Sequence, residues 1–247
     1  MSGNVWRRTA AIGVIVLAGI AGPGAAASQP AATCSDEALA ALTLAAADAA
    51  AGDGAAAAAR LRATAAVDPD CEPLTVASWS WHGWLAAQRA DLAGGSADAL
   101  ADVRTALDTL QPGGRAGSLA ARYAAAVLHA AAAAAQHERD EMRVWLEHAA
   151  GLAPRLPPDS RPWPLPLPIV EGELWLAVDD FELAEAAFAR AGDRSPIGLR
   201  GVARTRARRG TLAEACAPFR AALALVEPTR PDGPLAVEGR AFLRLCP

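Results

Sequence analysis

The 247 residues include 66 Ala, no Lys and 23 Arg, against 27 acidic residues, for a formal net charge of −4. Ala and Arg are strong helix formers, and the β-branched and aromatic residues that build sheets are few, so the composition excludes a sheet-based core and points to an all-α protein. The mildly acidic balance excludes nucleic acid as a general partner.

Residues 1–27 have the order of a signal peptide. Arg7 and Arg8 precede the uncharged run TAAIGVIVLAGIAG, and PGAAAS places small residues at −3 and −1 of a cut after Ala27. The run is shorter than the roughly 20 residues that span a bilayer, so the first expectation is export to the periplasm or beyond. An uncleaved N-terminal anchor, and membrane contact through it alone, is the alternative. Export permits disulfides, and Cys34, Cys71, Cys216 and Cys246 allow three connectivities. Cys34–Cys71 with Cys216–Cys246 is favoured because each pair brackets one local helical unit.

The remaining chain reads as helical hairpins on either side of a proline-rich stretch. Over 28–154, three units carry apolar positions at similar offsets. They are Ala45, Ala57, Leu61 and Thr64 around the turn GDG; Ala87, Ala99, Val103 and Ala106 around AGGS; and Ala130, Met142, Leu146 and Ala149. Pro69, Pro112 and Pro154 follow them in turn. The segment PRLPPDSRPWPLPLP holds seven Pro between 154 and 168, and residues 155–168 are expected to form an extended connector. A proline-rich ligand for an aromatic groove is its other reading. Over 169–247, Gly172, Ala184, Phe188, Ala191 and Pro196 surround the turn VDD. Ala203, Ala215, Phe219 and Ala222 surround RRG, and a helix over about 233–245 closes the series.

Ala184, Phe188 and Ala191 recur 31 residues on as Ala215, Phe219 and Ala222. Small, aromatic, small at this spacing occupies one helix face, where the small residues admit a second helix and the ring fills the groove beside it. The pattern resembles the tetratricopeptide repeat (TPR) family. That resemblance implies a right-handed superhelical solenoid of helical hairpins in an exported bacterial protein. It also implies a concave face that binds a protein or extended peptide, without cofactor.

Two groups are candidates for that face. WSWHGW holds Trp79, Trp81 and Trp84 around His82, and with Ala87 as the small first-helix position the resemblance puts Trp81 and Trp84 on the groove. Plain packing is the other reading, with Trp79 expected to be the most buried. Arg200, Arg204 and Arg208 recur every four residues in LRGVARTRARRG, and guanidinium forks suit carboxylates or phosphates, hence an acidic partner. The resemblance implies a carboxylate clamp at Arg200 and Arg204, although the Asn that usually joins it is absent; a solvated helix face is the alternative. The histidines are His82, His129, His137 and His148. His137 and Glu141 stand four apart with no third ligand in sequence, so no metal site is expected. No G-x-S-x-G, phosphate loop or H-E-x-x-H occurs. The expectation is therefore a non-enzymatic binding protein. The alternatives are a glycan or small-ligand binder using Trp81 and Trp84, and an enzyme with an unrecognised site.

Overall fold

The computed structural model describes residues 34–111, 117–157 and 165–246, all within one compact unit, Ala32–Pro247. The expected signal peptide, residues 1–27, Pro112 and the centre of the expected connector, 158–164, lie outside the described residues. Among the described residues there are eleven α-helices and no strand. They are α1 (Asp36–Ala50), α2 (Gly54–Ala65), α3 (Glu72–Leu92), α4 (Ala101–Leu110), α5 (Leu119–Ala135) and α6 (Arg139–Leu152). There follow α7 (Leu167–Ala177), α8 (Phe181–Arg190), α9 (Pro196–Arg208), α10 (Leu212–Val226) and α11 (Pro234–Leu243). No helix among the described residues is long and apolar enough to cross a membrane.

The helices pack as five hairpins, α1/α2, α3/α4, α5/α6, α7/α8 and α9/α10, and α11 lies on α10. Each first helix also touches the first helix of the next hairpin. Local chemistry sets the helix limits. Ser35, Asp53, Ser118, Asp180 and Ser195 accept from backbone N–H groups at the starts of α1, α2, α5, α8 and α9, which satisfies donors that a helix start leaves open.

Every first helix stops in the same way. Gly52, Gly94, His137, Asp179 and Gly210 take positive φ just after it. The next residue's N–H then bonds back five positions: Asp53 to Asp48, Gly95 to Ala90, Glu138 to Ala133, Asp180 to Trp175 and Thr211 to Arg206, at 2.8–2.9 Å. A left-handed residue followed by this long backbone bond caps open carbonyls and turns the chain sharply into the second helix. The five first helices thus share one terminating geometry. In four hairpins the second helix starts two residues after the left-handed one, whereas after α3 the left-handed Gly95 and residues 96–100 precede α4.

Most of the repeat positions read from the sequence form the core, with Thr64, Ala99 and Ala191 partly exposed. Ala45, Ala57, Leu61, Val103, Ala106, Met142, Leu146, Ala149, Ala184, Phe188, Ala203, Ala215, Phe219 and Ala222 are all buried. One apolar cluster runs from Ala38 in α1 to Ala236 in α11, so the hairpins before and after the connector share a core. Phe188 of α8 occupies a notch made by two glycines: a Cβ at Gly172 of α7 would stand 2.6 Å from its ring, and one at Gly201 of α9 only 2.3 Å. The cysteines pair as favoured, Cys34 with Cys71 and Cys216 with Cys246.

The connector is shorter than 155–168. Residues 153–155 form a 3₁₀ turn, and α7 already starts at Leu167 with Pro168 in its first turn. Proline is tolerated there because the first helical N–H groups have no intrahelical acceptor to lose.

Candidate functional site

The first helices of the five hairpins surround a cavity of about 400 Å³. Its lining comes from α1, α3, α5, α7 and α9, with Gly52 of the α1–α2 turn, Gly54 and Ala55 of α2, and Leu165 just before α7. Helices α4, α6, α8, α10 and α11 contribute nothing to it. From α3 come Trp81, Trp84, Leu85, Gln88 and Asp91, which lie on one face at helical spacing. Only alanines, Ala131, Ala134 and Ala135, come from α5, and side chains this short leave space unfilled. Glu173 enters from α7, and Arg200, Arg204 and Arg208 from α9. The Trp pair and the Arg row, distant in sequence, therefore border the same hollow.

Trp81 and Trp84 are 2% and 3% exposed. They are core residues whose edges reach the cavity, so the packing and lining readings both apply to them. Trp81 lies over Gly54, where a Cβ would be 3.0 Å from its Cζ3 atom. Trp79 is not the most buried of the three: it is partly exposed, edge-on to His82 at 5.4 Å. The reason is helical rotation. Two positions before Trp81 is about 200° around α3, away from the face that Trp81 and Trp84 share.

The arginines are engaged rather than bare. Arg204 Nη1 donates to both carboxylate oxygens of Glu173, at 2.8 and 2.9 Å. The Glu173 charge holds the Arg204 pKa above its ordinary value against the opposing effect of burial, helped by the hydrogen bond to Glu173 and by the Glu238 charge. Arg200 Nε donates to Glu238 of α11 at 2.7 Å. Arg208 donates to the Leu176 carbonyl (2.8 Å) and to Asp179 (2.6 Å), and its guanidinium lies 5.9 Å from the Phe181 ring centre. These contacts hold the row against the hollow instead of leaving it a loose solvated face. An incoming carboxylate must share or displace Glu173 or Glu238.

No family model, curated protein or solved structure matches this chain.

The histidines lie away from the hollow. His129 of α5 stacks on Trp145 of α6 at 4.2 Å, and His148 meets the same indole edge-on at 6.1 Å. Trp145 Nε1 donates to Glu141 at 3.4 Å. Burial holds the His129 pKa below its ordinary value, partly offset by the Glu141 charge. His137 forms the left-handed turn after α5. Among the described residues, no three His, Cys, Asp or Glu side chains gather as a metal site.

Glu173, Gln88 and Asp91 line the hollow without having been singled out from the sequence. A signal for two of them was present. Gln88, Ala131, Glu173 and Arg204 each follow the small first-helix residue of their unit, Ala87, Ala130, Gly172 and Ala203, and all four line the cavity. Glu173 and Arg204, 31 residues apart, are therefore equivalent positions of adjacent hairpins carrying opposite charges.

Proposed function

We propose that the protein is an exported, non-enzymatic binding module of the bacterial cell envelope, built as a TPR-like hairpin array that holds a protein or peptide segment in the hollow. The observation that carries this reading is the convergence of Trp81, Trp84, Arg200, Arg204 and Arg208 on one cavity lined by first helices. The shared turn after every first helix supports the repeat reading, since stacked equivalent units leave equivalent positions facing one groove. Two disulfides and the lack, among the described residues, of a helix long enough to span a membrane are consistent with export. At about 400 Å³ the cavity suits a short segment or a chain end rather than a long stretch of partner.

Partner capture in envelope extract tests the reading. Charge reversal of Arg200 and Arg204 together, in protein with unchanged helical content, is expected to remove the bound partner, and wild-type binding is expected to weaken with salt. Retention of the same partner by the doubly reversed protein would overturn the role given to the arginines. A second reading, a small ligand or glycan, is favoured by the cavity size and its indole edges. Titration of tryptophan fluorescence with cell-wall fragments separates it from the first: saturable change supports it, and a flat response across a broad panel removes it.

A further inference from the structure

The two ends of the described chain meet at the edge of the hollow. Asp48, in the last turn of α1 and 6% exposed, accepts from Arg60 of α2 at 3.1 Å and from Arg230 at 3.0 Å. Arg230 follows α10 and is 182 residues further along the chain. Beside this pair, Leu235 of α11 packs against the α1–α2 turn, where a Cβ built on Gly52 would stand 3.1 Å from the Leu235 Cβ. Gly52 itself lines the hollow, and α11 reaches the hollow's wall again where Glu238 meets Arg200.

Both sides of this seam are covalently stapled. The Cys34–Cys71 bond ties the start of α1 to the N-cap of α3, and Cys216–Cys246 ties the first turns of α10 to the residues just after α11. In an open stack, a terminal unit has one neighbour and frays first. Here the two terminal units are each stapled, and each covers the other.

Parting the seam leaves little unsatisfied. Asp48 keeps Arg60 when Arg230 withdraws, so no buried carboxylate is stranded. The Arg200–Glu238 pair lies wholly on the α9–α11 side and travels intact. What is given up includes one arm of an ion-pair triad and the burial of Leu235, which is 2% exposed.

We propose that this seam is a gate. With Arg230 on Asp48 and Leu235 on Gly52, the two ends of the hairpin array are held together behind Gly52, at one edge of the hollow. Separation of the two stapled ends, without unfolding of either, opens the hollow to its occupant. The identity of the occupant rests on the function proposed above; the gate itself is testable without any ligand.

Arg230→Glu sets a carboxylate against Asp48. The variant is expected to show a larger radius of gyration by small-angle X-ray scattering. Its tryptophan emission should be more readily quenched by acrylamide, and its helical circular dichroism signal should match wild type. Arg230→Lys is expected to remain closed, and wild type is expected to move toward the open values in about 1 M NaCl, where ion pairs are screened. An Arg230→Glu protein with wild-type radius and quenching overturns the proposal. So does one that loses its helical signal, because the seam would then belong to the folding core rather than to a gate. Acrylamide and scattering read the seam alone, so a closed-to-open shift with no partner bound separates failure of the gate from failure of the binding role.

Discussion

Gly201→Ala places a methyl group where the Phe188 ring stands. The built Cβ lies 2.3 Å from Cδ1 of Phe188, and the ring has no retreat, because Gly172 on the other side already brings α7 to within 2.6 Å of a Cβ position. Overpacking of this kind costs about 3 kcal/mol at the upper end of its usual range. Against this, Gly→Ala inside a helix gains about 1 kcal/mol. The net is a loss of about 2 kcal/mol, or roughly 4–8 °C in Tm for a domain of this size. Thermal unfolding followed by circular dichroism, with disulfides intact, measures it. Gly151→Ala in α6 is the control, since nothing lies within 4 Å of its Cβ position; it is expected to be neutral or mildly stabilising. The same notch sets the spacing of α7 and α9, and so the Arg204–Glu173 pair beside it. Phe188→Leu in the Gly201→Ala background is expected to recover part of the loss. A Gly201→Ala protein as stable as wild type would refute the packing argument.

Three further outcomes are expected. The His129 pKa is depressed by burial, so the unfolded chain takes up the proton first, and the stability present above pH 6.5 is lost as pH falls below it; an NMR titration midpoint below 6.5, and a flatter Tm–pH profile in His129→Leu, check this. Replacement of both Cys34 and Cys71 by Ser is expected to lower stability by about 4 kcal/mol in the chain-entropy account, read by urea unfolding. His137 holds φ +58° in its turn, and His137→Gly is expected to gain about 1 kcal/mol because only glycine adopts that region freely; a lower Tm would count against it.

Much of the fold was legible because hairpins are local. Ala184 and Phe188 mark a buried face, with Ala191 partly exposed at its end, and the same offsets located four further hairpins. The pairing of Cys216 with Cys246 followed from the short helical unit that they bracket. The seam was not legible: whether Asp48 meets Arg230 depends on small rotations accumulated over five hairpins, to which no short stretch of sequence is sensitive. The partners of the arginines were missed for a related reason. Glu173 faces Arg204 only because α7 and α9 align in repeat register, and the row was read along α9 alone. Trp79 was misplaced because its angle around α3, about 200° from Trp81, was not weighed.

A photo-crosslinking amino acid placed at Gln88 on the wall of the hollow, compared with one at Leu183 on the outer helix α8, tests the binding role most directly. In cells that export the protein, the account predicts a discrete adduct from Gln88 that is absent from Leu183. Identical adducts from both positions, or an adduct from Leu183 alone, would contradict it.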